Sequence, residues 1–206
     1  MTLTLRSLAQ RPPAPPVEPG RAQEVCDLCA GPLAPEHRHV LDLDSGDPQC
    51  ACRACAVLFD REQAGGGHYR LIPERRVRLD ALAVDQRLFA ALGIPVDLAF
   101  VYLDSRSGRV LARYPGALGL IAAAPAVDAW EQVVAAAPEL RDLQPDVEAL
   151  LLHRTEAWIV PIDLCFRLAA LVRQHWSGFT GGDRVWEEIA RFFEELRSEP
   201  KEATWP

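Results

Sequence analysis

An α+β fold is predicted for this chain of 206 residues: a small cysteine-rich module of treble-clef or zinc-ribbon type, then an antiparallel-sheet α+β domain with C-terminal helices. Three observations predict it. Five of the six cysteines fall within residues 26–55. The later strand-like stretches are joined by short polar turns, as antiparallel pairs are. The last apolar patterns have the 3.6-residue period of amphipathic helices.

Taken in order, residues 1–22 are a flexible proline-rich leader, since "RPPAPPVEPG" at 11–20 is half proline and proline removes backbone donors and favours an extended chain. The zinc-binding module spans 23–63. Inside it "HRHVLDLD", the turn "SGDP" and "QCAC" predict a hairpin, and "ACAVLFDRE", free of breakers, predicts a short helix. Glycines 65–67 suit a hinge. The α+β domain spans 68–198 and residues 199–206 are a tail.

In that domain "HYRLIP" and "RVRLDALAV" predict strands, and "QRLFAALG" a short helix ended by Gly93. "VDLAFVYLD" predicts a buried strand that turns at "SRSG" into "RVLARYP". Asp128 is the expected N-cap of a helix carrying Trp130, Val133, Val134 and Ala137 on one face. "VEALLLHR" and "EAWIVPI" make a second hairpin. A helix begins at a cap-like Asp163; after the breaker "SGFTGG", the last helix carries Val185, Trp186, Ile189, Phe192, Phe193 and Leu196 on one side and glutamates on the other.

A 49% hydrophobic and 25% charged composition is that of a globular protein with a sizeable core. The net charge of −7 argues against a free-standing nucleic-acid binder, which shows a basic face, so no nucleic-acid partner is expected. The start has no apolar signal-peptide core, and no run of about 18 apolar residues follows, so no transmembrane segment and a cytoplasmic location are expected. In that compartment clustered cysteines are metal ligands or redox centres rather than disulfides.

Cys26 and Cys29 form one C-x-x-C knuckle, and Cys52 and Cys55 another, with 22 residues between them. Two loops each presenting two sulfurs to one tetrahedral ion is the pattern of a structural zinc site. The second pair is expected in the first turn of its helix, whose dipole favours thiolates. Three alternates stay open. Cys50, two residues before Cys52, shares its side in an extended segment and could replace one sulfur. His37 and His39 share a strand face, and either could complete a Cys₃His site or hydrogen-bond beside the ion. Iron is the alternative metal, as four sulfurs suit a rubredoxin-like electron carrier equally well. Four thiolates leave no open position for catalysis. The segment 26–55 has five acids against two arginines, so the module suits its own stabilisation or a protein partner better than phosphate.

Elsewhere "QAGGGHYR" lacks the lysine and serine of a phosphate loop. Arg75, Arg76 and Arg78 could clamp an anion, but a solvated edge strand accounts for them. Cys165 is a small buried hydrophobe, and His153 and His175 are structural histidines. Nothing meets the pattern of a catalytic triad, a paired carboxylate or a metal hydrolase. A non-enzymatic role is the leading reading, and a pocket assembled in the large domain from residues distant in sequence stays open as the alternative.

The stretches "CDLC", "EHRHVLDL", "CACRACAVLFDR", "GGGHYRLIP", "ALGIPVDLAF", "PDVEALLLHR" and "WIVPIDLCFRLAALVRQHWSGFTGG" together resemble an uncharacterised family of high-GC Gram-positive bacterial proteins. Genes of that family accompany those of high-affinity nickel–iron (NiFe) hydrogenases. The resemblance covers about residues 24–197. It implies an accessory role in assembly or stability of the hydrogenase, with a hydrogenase subunit or maturation factor as protein partner, or electron transfer to it. It carries over no catalytic residue.

Overall fold

The computed structural model describes residues 24–59, 67–116, 119–177 and 181–198. The leader, the tail and hinge glycines 65 and 66 lie outside them. The architecture is α+β with two antiparallel sheets and C-terminal helices.

The first sheet has the order β2-β1-β3, from β1 (Arg38–Asp42), β2 (Pro48–Ala51) and β3 (Tyr69–Leu71). The β1–β2 hairpin and the helix after it, α1 (Arg53–Leu58), form as their residues predict. Successive β1 side chains serve different cores, because strand side chains alternate between faces. Val40 packs with Cys26, Leu33, Ala51, Cys55 and Ala56. Leu41 packs instead into the core of the larger sheet, where it is joined by Ile72 just beyond β3.

The second sheet runs β4-β9-β8-β5-β6-β7. Its strands are β4 (Val77–Arg78), β5 (Leu98–Asp104), β6 (Arg109–Gly116), β7 (Gly119–Ala123), β8 (Glu148–His153) and β9 (Glu156–Pro161). All six residues of β8 are buried because helices cover both faces. Ala149 and Leu151 face α4 (Ile162–His175) and α5 (Asp183–Ser198). Leu150 and Leu152 face α2 (Gln86–Ala91), α3 (Val127–Ala136) and a 3₁₀ turn at Pro138–Asp142. The expected α5 stripe is buried throughout except for Trp186.

Three local expectations are corrected and one strand is added. "RVRLDALAV" pairs only over Val77–Arg78, since the chain turns at Leu79, whose carbonyl accepts from the Leu82 amide, and Leu79, Leu82 and Val84 enter the core. β7 was not apparent in a small-residue stretch, and forms by pairing with β6. Asp128 lies in the first turn of α3, which is capped by Ala126 without a side-chain bond. Asp163 likewise lies inside α4, which Pro161 caps, and its side chain is used at long range. No helix among the described residues is long and apolar enough to cross a membrane.

Candidate metal centre

The first knuckle is a tight loop closed by its own backbone. The Ala30 amide donates to the Cys26 carbonyl and the Cys26 amide to that of Gly31, both at 2.8 Å, with Ala30 in the left-handed region at φ 57°. Gly31 keeps this loop uncrowded, since a Cβ there would stand 3.3 Å from the Cys29 sulfur, a tight contact. Asp27 ties the knuckle to β2: its amide donates to the Cys50 carbonyl at 3.0 Å and its carboxylate accepts from the Cys50 amide at 2.6 Å. The second pair comes from α1, where Cys52 is the N-cap residue and Cys55 follows in the first turn.

Folding brings Cys26, Cys29, Cys52 and Cys55 together, with their sulfurs all within 4.8 Å of one another. The Cys29 and Cys52 sulfurs are 3.7 Å apart. A disulfide needs about 2.05 Å, whereas sulfurs at about 2.3 Å from a tetrahedral ion are spaced about 3.8 Å apart. The group has the donor chemistry and spacing to hold a metal ion such as zinc.

Its electrostatics are those of crowded thiols. Burial raises the Cys26 thiol, but the backbone around its sulfur, from Cys52, Leu28 and Cys29, outweighs that and lowers it to about 6. Burial and then the neighbouring thiols push Cys55 up to about 12. Near Cys29 the Gly31 backbone lowers the thiol, while Cys26 and Cys52 turn the balance upward. One sulfur ionises readily and the next resist, so full ionisation is favoured by a cation at the centre.

Cys50, His37 and His39 do not join this group. The strand ends at Ala51 and Cys52 starts a helix, so the alternation expected to align Cys50 with Cys52 stops between them. In the β1–β2 register His39 stands opposite Cys50, and with His37 these form a second group, one ligating atom of each within 4.8 Å of the others. His39 Nδ1 lies 2.8 Å from Asp163 Oδ2 in α4, and that contact raises the imidazole pKa against the lowering effect of burial. Burial and then Asp27 raise the Cys50 thiol.

The arginine group has internal partners. Arg75 faces the fully buried Glu148, and Arg78 pairs with Asp80 and lies over Trp158. Cys165 is buried as expected and His175 is half-buried, whereas His153, expected to be satisfied or partly exposed, is buried with its Nε2 unpartnered. The residues least visible in the sequence were Asp163 and Glu148, acidic side chains whose partners lie far along the chain.

Residues 25–200 match a Family of unknown function (DUF5947). No curated protein and no solved structure matches the chain.

Proposed function

The chain belongs to that family of unknown function, and from its own geometry we propose that it is a non-enzymatic metal-binding accessory protein. The observation that supports this is the four-sulfur group with its 3.7 Å edge. Cys26, Cys29, Cys52 and Cys55 hold one zinc ion, which fixes the module at 23–63 beside the α+β domain at 68–198. Such binding energy is folding energy, on the order of 10 kcal/mol in small zinc modules.

The protein docks to a protein partner. The module's acidic balance and the exposed Val25, Val57 and Leu58 beside the cysteines support this part of the proposal. The resemblance to proteins encoded beside NiFe hydrogenases supports a hydrogenase subunit or maturation factor as that partner, and a role in its assembly or stability in the cytoplasm. Isolation of the tagged protein from its native host, with bound proteins identified, tests this. Recovery of a hydrogenase component is expected, and its absence refutes that partner.

A second reading is a rubredoxin-like iron carrier of electrons for the hydrogenase. The exposure of Cys29, which leaves one edge of the cluster near solvent, favours it. Metal analysis and the absorption spectrum of the natively expressed protein decide between them. Colourless zinc held tightly by the four sulfurs, an ion that Cys26→Ser and Cys52→Ser lose and Cys50→Ser retains, is the expected result. A red, reducible iron–thiolate species would establish the carrier instead.

A further inference from the structure

We infer that His37, His39 and Cys50 form a second metal site, separate from the four-thiol group, that takes a zinc-class divalent ion with an open fourth position. One ligating atom from each residue lies within 4.8 Å of the others, so a single ion can reach all three. Two imidazoles and one thiolate are zinc donors, and three protein ligands leave the fourth tetrahedral position for water or an anion.

The ring nitrogens are already assigned for this task. His37 Nδ1 is 3.1 Å from the Ala34 carbonyl, which can only accept, so Nδ1 is the donor and in the neutral ring Nε2 is the nitrogen free to ligate. That Nε2 is buried and has no hydrogen-bond partner. A buried polar atom left in this way is unfavourable, and an ion is one of the groups that accounts for it. His39 Nδ1 is held by the Asp163 carboxylate at 2.8 Å. A carboxylate on the far nitrogen of a ligating histidine is the usual support of a zinc-bound imidazole. The ring centroids are 5.0 Å apart and the planes at 68°. Two imidazoles bound at about 2.0–2.1 Å to one tetrahedral ion have centroids spaced by about 5 Å.

Charge balances as well. One thiolate and the Asp163 carboxylate together neutralise a divalent ion. Asp163 belongs to α4, whereas the three ligands belong to or adjoin the first sheet, so an ion here joins that sheet to the helix through His39. The inference stands apart from the four-thiol reading and can fail separately from it.

Equilibrium dialysis of the full chain against buffered free Zn²⁺, with metal counted per chain, tests the site. Two ions per chain are expected for the wild type and one for His37→Ala and Cys50→Ser, both keeping the wild-type circular dichroism. Asp163→Asn should weaken only the second ion, by about 10- to 100-fold, and Co²⁺ loading should give a cobalt–thiolate absorption component that Cys50→Ser removes. One ion in the wild type, unchanged in both variants, overturns the second site and leaves the four-thiol reading intact. Two ions retained in both variants also overturn it. A single ion lost in Cys50→Ser but kept in Cys29→Ser would overturn the four-thiol reading instead.

Discussion

Arg70 in β3 donates from Nη1 to Asp146 Oδ2 at 2.9 Å and to the Pro145 carbonyl at 2.8 Å, tying the small sheet to the loop before β8. Asp146 is buried, and its other oxygen accepts from the Ser105 amide at 2.8 Å. It also occupies the left-handed region at φ 66°, which Asp and Asn tolerate and alanine resists. Arg70→Ala strands a buried carboxylate and should cost about 3 kcal/mol in chemical denaturation. Arg70→Lys should recover only part, because an ammonium lacks the guanidinium fork. Asp146→Asn should be milder than Asp146→Ala, and the reverse order would refute the account.

Glu148 has no solvent exposure; Arg75 Nε stands 3.0 Å from Oε1, and the Gln144 amide donates to Oε2 at 2.9 Å. Burial raises the carboxyl pKa even with the Gln144 backbone and Arg75 acting against it. Arg75→Met therefore leaves an uncompensated charge and should cost about 3 kcal/mol near neutrality. The Arg75→Met/Glu148→Gln pair should lose less than that single change, since glutamine still accepts from Gln144. As pH falls and Glu148 takes a proton, the cost of Arg75→Met should shrink. A double-mutant cycle measured at two pH values checks both points.

Two glycines with positive φ should respond unequally to alanine. At Gly108, φ 63°, an added Cβ meets nothing within 4 Å, so only the backbone cost of about 1 kcal/mol applies. At Gly181, φ 90°, the same atom would lie 2.8 Å from Val185 Cγ1 and 3.4 Å from the Trp176 ring. Val185 is fully buried and cannot retreat, so Gly181→Ala should cost about 3 kcal/mol. Equal losses in the two variants would show that the contact yields.

The hairpins and the cysteine knuckles were legible because their information is local. Period-2 runs around short polar turns announce β5–β6 and β8–β9, and C-x-x-C spacing announces two sulfur pairs whatever lies between them. What escaped depended on register and distance. His39 meets Cys50 only through the β1–β2 pairing, and Asp163 looks like a helix cap until α4 is seen to start at Ile162. Glu148 reads as the polar end of a strand; its burial follows from helices on both faces of the sheet. β7 carries a single β-branched residue, Ile121, among glycine, leucine and alanine, and its stretch "GLIAA" gains its conformation from β6.

His153 supplies a pH dependence whose sign follows from its surroundings. Its ring stacks on Phe193 with centroids 4.2 Å apart, and Nε2 is buried without a hydrogen-bond partner. Burial, then the Arg154 charge, lowers its pKa from 6.5 to about 4. Between those values the unfolded chain binds a proton that the native protein does not, so stability falls as pH falls. The difference corresponds to on the order of 3 kcal/mol, lost progressively from pH 6.5 to about 4. His153→Phe keeps an aromatic ring against Phe193 and has no proton to gain. Subtracting its stability profile from that of the wild type removes the carboxylates and other histidines common to both. The difference should slope against the wild type on acidification, and a flat difference across this window would place His153 in the native state with an ordinary pKa.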